Sequence, residues 1–177
     1  MTDLSVVFLD FDGVLNSVAT FNARSKERAA ARARGEEPPL NAEEQIDRGL
    51  VARLNGLLER TGAKVVVSSS WRCGHTRHEL QALLGRRGFS GEVIGVTPEI
   101  QVVGEFTRAK EIREYLRHGP RLRSFVILDD DPIEGYLADR FVRTDFQEGL
   151  QDVHVERAVQ ILSAPLKVFR CNPPRYR

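Results

Sequence analysis

Cysteine is scarce. The chain holds only Cys73 and Cys171, too few and too unpatterned for a disulfide scaffold, so a reducing cytoplasm is the expected compartment. An excess of charge of one sign is also missing. Lys and Arg number 26 against 25 Asp and Glu, a formal net charge of +1. That balance argues against a nucleic acid or membrane held by bulk electrostatics, and leaves room for a local basic patch. No apolar run approaches the roughly 20 residues that a bilayer span needs. The N-terminus leads straight into an apolar strand, with no basic-then-apolar leader.

What is present describes a globular protein. Of 177 residues, 41% are hydrophobic and 29% charged, enough to bury about 70% of the unfolded surface in one domain without disulfides or structural metal. The expected organisation is a single domain over 1–177. The stretch that organises it is Val6-Val7-Phe8-Leu9-Asp10-Phe11-Asp12-Gly13-Val14-Leu15. Its apolar lead reads as a strand buried on both faces, as in a parallel sheet. Residues two apart on an extended chain share a face, so Asp10 and Asp12 can converge just past the strand. Carboxylates that close resist ionising together unless a positive charge joins them. All-oxygen ligation favours magnesium. The competing reading is a pair of aspartates capping a turn at Gly13.

Residues 16–41 interrupt the pattern. The Ala/Arg-rich part from Arg24 to Gly35 favours an exposed helix, since it has no apolar stripe. Asn41 and Glu44 resemble a capping box, and Ile46, Leu50, Val51, Leu54, Leu57 and Leu58 follow at helical spacing until Gly62. Strands are expected at 63–67, 92–96, 124–128 and 140–143. Helices are expected around 79–86, from near Thr107, and over 153–162. The basic tail 169–177 reads as a surface strap. Strands alternating with helices mean a parallel sheet covered on both faces, with ligands bound outside the carboxyl ends of the strands. Asp10, Ser68 and Asp129 each stand at such an end, and so point to one crevice.

That crevice suits phosphoryl transfer, with aspartate as a possible covalent nucleophile. Ser68 offers a hydroxyl to a phosphate oxygen, or simply leaves a strand for a turn. Lys110, in the first turn of its helix, is the candidate cation, and Arg108 competes for the role. Lys110 could instead form one solvated face with Arg113 and Arg117.

With Asp10-Phe11-Asp12-Gly13-Val14, Ser68, Lys110 and Asp129-Asp130 in that order, the chain resembles the haloacid dehalogenase (HAD) superfamily of phosphohydrolases. Val67-Ser-Ser-Ser-Trp-Arg72 and Thr144-Asp145 with Gly149-Leu150 look more narrowly like the small phosphatase domains associated with RNA-repair proteins. The Lys110-Glu-Ile run is similar to the phosphatase half of polynucleotide kinase–phosphatases. The resemblance implies a Rossmann-like α/β fold with a small or absent cap, the insertion at 16–41 being all that is available for one. It implies Asp10 as nucleophile and magnesium ligand. Asp12 becomes the acid and base, with its backbone carbonyl on the metal. Ser68 and Lys110 hold the phosphoryl group, and Asp129 and Asp130 anchor the metal. The serine and aspartate runs leave their register open, so Ser69 can replace Ser68.

Arg72 is close enough to the second strand to reach a substrate phosphate, or it bonds loop carbonyls. Arg24, Lys26, Arg28, Arg32 and Arg34 read as a solvated face or a nucleic-acid contact. Cys73, His75 and His78 lack a fourth zinc ligand. Trp71 either stacks on a base or packs. The expected activity is a magnesium-dependent phosphomonoesterase acting on a nucleic-acid end (3′- or 5′-phosphate) or a nucleotide. The alternatives are a small-metabolite phosphatase, and a phospho-accepting receiver-like domain, whose acidic pair would come first in the chain rather than late.

Overall fold

The computed structural model describes residues 4–37, 42–100, 108–133, 135–164 and 166. The opening apolar run forms β1 (Ser5–Leu9), buried along its whole length. Four further strands follow: β2 (Lys64–Val67), β3 (Val93–Val96), β4 (Ser124–Asp129) and β5 (Phe141–Arg143). They make one parallel sheet in the order β3-β2-β1-β4-β5. Leu9 lies opposite Val67 on one side and Leu128 on the other, so the first, second and fourth strands end level with one another.

Alternation along β1 divides its side chains between two cores. Val7 and Leu9 join Val65, Val67, Val126 and Leu128 on the face covered by α2 (Arg48–Thr61), α3 (Arg77–Arg86) and α5 (Asp152–Ser163). Val6 and Phe8 join Val66, Phe125 and Ile127 on the other, under α4 (Arg108–His118), whose Ile112 is fully buried. The chain is thus α/β, with helices on both faces of a parallel sheet, the Rossmann-like arrangement that the resemblance implies. Among the described residues, no helix is long and apolar enough to cross a membrane.

Local chemistry sets the helix ends. Residues Ala42–Gln45 form a 3-10 turn, and the cap of α2 is Asp47, whose Oδ1 accepts from Gly49 N at 2.7 Å and Leu50 N at 3.1 Å. The expected capping box therefore gives way to a cap nearer the helix, and Asn41 lies outside the described residues. Gly62, at φ 65°, ends α2 as expected. The third helix starts earlier than its apolar positions indicate, because Thr76 and Glu79 form a capping box. Within the insertion, α1 (Val18–Ala33) is largely exposed, burying only Thr20 and Ala31. Its Arg24 and Arg28 pair with Glu44 at 3.9 and 3.6 Å. Thr107 and the tail 169–177 lie outside the described residues.

Candidate active site

Strand parity decides what meets at the carboxyl rim. Asp10 continues the face of Phe8, and Asp129 that of Ile127, so both turn toward the α4 side. Both are buried, at 5% and 1% exposure. The Phe11 amide donates to Asp10 Oδ1 at 2.8 Å, and the Asp131 amide to Asp129 Oδ1 at 3.0 Å. Asp10, Asp129 and Asp130 each bring an oxygen within 4.8 Å of the others. Asp131 is exposed and joins through its backbone, so in the aspartate run the geometry selects 129 and 130.

These acids resist ionising together. Burial pushes the Asp10 carboxyl up from 3.8 to about 6, against the opposing pull of Arg108, the Ser69 hydroxyl and the Phe11 amide. Burial, and then the charge of Asp10, push Asp129 up to about 7. Asp130 is raised too, first by burial and then by Asp131. Carboxyls that burial and neighbouring acids raise, gathered at one strand rim, are the electrostatic signature of a cation site. Asp129 Oδ2 fits it further. The atom lies 2.9 Å from Arg108 Nε but off the hydrogen-bonding axis, so it accepts no hydrogen bond from the protein. The donors are hard oxygens alone, which suits magnesium.

Arg108 reaches the cluster. Its Nη2 stands 3.3 Å from Asp10 Oδ2 while its Nε faces Asp129. Lys110, the sequence's first candidate, is half-buried in the same helical turn. It is two residues on, and so about 200° round the helix from Arg108. Arg108 thus stands against two of the three clustered carboxylates. The geometry also separates the serines. Ser68 Oγ accepts from Thr97 Oγ1 at 3.4 Å, whereas the fully buried Ser69 gives its hydroxyl to Asp10.

Arg72 does not present a free fork to substrate. Its Nε donates to Thr97 O at 3.0 Å, Nη1 to Ser69 O at 2.6 Å and Nη2 to Pro98 O at 3.5 Å. Nη2 also pairs with Glu111 Oε1 at 2.6 Å, with both side chains 5% exposed. These contacts brace the Ser69 loop against α4, as in the reading of Arg72 as an arginine that bonds loop carbonyls. The zinc reading is not assembled either: Cys73 is exposed, His75 Nδ1 bonds Trp71 O, and His78 bonds Arg77.

Asp12 stands beside the cluster with its carboxylate turned to Asn16, which sequence reasoning passed over, and to Trp71, which it read as stacking on a base or packing. Asn16 Nδ2 donates to Asp12 Oδ1 at 2.8 Å, and Trp71 Nε1 lies 3.2 Å from both Asp12 oxygens. The signal for Asn16 was its place four residues after Asp12 in a tight turn. Nothing in the sequence marks the Trp71 contact.

Residues 6–155 match the family model described as the HAD domain in Swiss Army Knife RNA repair proteins. That span includes Asp10, Asp12, Ser69, Arg108, Asp129 and Asp130. No curated protein matches the chain.

Proposed function

Because the chain belongs to the HAD domains of Swiss Army Knife RNA repair proteins, a family of HAD-type phosphatases, we propose that it hydrolyses phosphomonoesters with magnesium through an aspartyl-phosphate. We infer that its substrate is the phosphate of an RNA or DNA end, or of a nucleotide. The observation that carries the reading is the convergence of Asp10, Asp129 and Asp130 within 4.8 Å of one another, with Arg108 against two of them.

In this reading Asp10 attacks phosphorus while Asp12 gives a proton to the departing oxygen. Asp12 then takes a proton from the water that releases phosphate from Asp10. The Ser69 hydroxyl and the Arg108 guanidinium hold the phosphoryl oxygens. Asp10, Asp129, Asp130 and the Asp12 carbonyl would hold magnesium, which supplies charge that keeps Asp10 ionised and the phosphoryl group polarised. We read 1–177 as one domain. The insertion at 16–41 is small, and its one described helix is largely exposed, which supports an open site able to admit a polymer end.

The test is phosphate release from 3′- and 5′-phosphorylated oligonucleotides, nucleotides and sugar phosphates, with magnesium and with a chelator. Magnesium-dependent turnover that favours the oligonucleotides or nucleotides is expected. Preference for sugar phosphates would move the substrate to a small metabolite. Stoichiometric labelling without turnover would make the chain a phospho-acceptor.

A further inference from the structure

Among the described residues, the acidic group that could hold a metal leaves out the side chain of Asp12. Its Oδ1 accepts from Asn16 Nδ2 at 2.8 Å, and the single indole proton of Trp71 is shared between Oδ1 and Oδ2 at 3.2 Å each. Both donors are fixed in turn. Asn16 is fully buried, and its amide oxygen accepts from Gly13 N at 3.0 Å, which leaves its NH2 end for Asp12. The Trp71 ring leans on Phe11 with centroids 5.4 Å apart, and the Trp71 carbonyl accepts from His75 Nδ1 at 2.9 Å. Oδ1 is therefore the more heavily engaged oxygen: it accepts from both donors, while Oδ2 has only its share of the indole proton.

We propose that Asn16 and Trp71 are positioning residues for the Asp12 carboxylate, Asn16 holding Oδ1 and the indole N–H spanning both oxygens, so that Oδ2, the less engaged oxygen, is the atom that exchanges the proton. The inference rests on the phosphatase reading above. In the first step the Asp10–phosphorus bond forms, the phosphorus–alcohol oxygen bond breaks with its electron pair on that oxygen, and the proton on Oδ2 passes to it. In the second, water oxygen bonds to phosphorus, its proton moves to Oδ2, and the Asp10–phosphorus bond opens to return the carboxylate.

Trp71→Phe keeps a ring against Phe11 and removes the N–H. With magnesium, its kcat relative to wild type is expected to fall about tenfold further on an alkyl phosphate, whose alkoxide needs a proton to leave, than on p-nitrophenyl phosphate, whose phenolate does not. KM should stay within about twofold on both esters, since the clamp acts on a proton and not on binding. Equal losses on the two esters would overturn the assignment, because a merely loosened fold does not sense the leaving group.

Trp71 is the chain's only tryptophan, so its one indole N–H resonance gives a check independent of turnover. Asp12→Ala should shift that resonance and speed its hydrogen exchange. An indole signal indifferent to Asp12 would overturn the clamp itself. A wild-type chain that hydrolyses neither ester, while its indole still senses Asp12, would overturn the phosphatase reading, and the proton-exchange role with it.

Discussion

Asp130 packs its side chain into the space that a Cβ on residue 13 would fill. Gly13 has φ +67°, and a Cβ built on it would stand 2.6 Å from Asp130 Cβ and 2.7 Å from Asp130 Oδ2. The glycine therefore serves two ends: it permits a left-handed turn after the strand, and it lets a carboxylate close over that turn. Gly13→Ala should push Asp130 away from Asp10 and Asp129. We expect magnesium affinity to fall at least tenfold, about 1.4 kcal/mol, with a further loss of about 1–3 kcal/mol in folding stability from the strained turn. Calorimetric titration with magnesium and urea unfolding measure the two parts separately. Wild-type affinity in the alanine variant would remove Asp130 from the metal site.

Asp10→Asn removes a charge at nearly constant shape. Turnover should fall by about 10⁴-fold, as for loss of a covalent nucleophile. Acid-quenched wild-type enzyme should carry a labile phosphate that the variant lacks. A variant that retains more than a few per cent of the wild-type rate would reassign the nucleophile.

Arg108 and Lys110 can be told apart by truncation. Arg108→Ala should lower kcat/KM by about 10²–10³-fold, the range for removing one donor to the charge that develops in the transition state. Lys110→Ala should lower it far less. Steady-state kinetics on one phosphorylated oligonucleotide decides the matter, and the reverse order would return the role to the lysine.

Arg72→Ala should act on stability. The change takes from the buried Glu111 its nearer cation and leaves it only Arg108 Nη1 at 4.0 Å, and breaking such a buried pair is worth about 3–5 kcal/mol. Equilibrium unfolding in urea reads the loss directly. A drop in substrate affinity at unchanged stability would instead place Arg72 on the substrate.

In metal-free protein, stability should fall as pH rises from about 4 to about 7. Asp10 and Asp129 start from 3.8 and are raised to about 6 and about 7 in the fold. Below 3.8 both folded and unfolded chains hold these protons, and the contribution of the two acids is fully present. Through the window the unfolded chain releases them first, so the balance shifts toward unfolding until the folded groups ionise as well. Magnesium, by binding the ionised folded form, should flatten the decline. The comparison is the urea midpoint of wild type against Asp129→Asn in chelator, in which surface carboxylates common to both cancel. A difference that does not change with pH would refute the coupling.

The sheet and the carboxylate rim were legible because strand signals are local. Apolar runs mark β1, β2 and β4, and a period of two fixes which face Asp10 and Asp129 continue. The helix-borne and loop-borne groups were harder. Which of Arg108 and Lys110 enters the crevice depends on the angular setting of α4, and a shift of one residue turns a helix by about 100°. Sequence left Ser68 and Ser69 undivided because the chain leaves its strand geometry at that point, where parity no longer applies. Arg72 finds Glu111 across the sheet edge, and one sequence read alone does not pair residues so far apart. The Trp71 indole reaches Asp12 for the same reason: a tertiary contact joins two loops that are separate in sequence.

The central place of β1 has a consequence for how the rim comes apart. Asp10 leaves a strand bonded on both edges, and Asp129 leaves its neighbour, which is also bonded on both edges. Amide protons beneath these two residues should therefore exchange only when the entire molecule opens, while those of the outer strands β3 and β5 escape through smaller fluctuations. The floor under the carboxylates would then be the last part to melt, and an outer strand could fray while the acids still face one another.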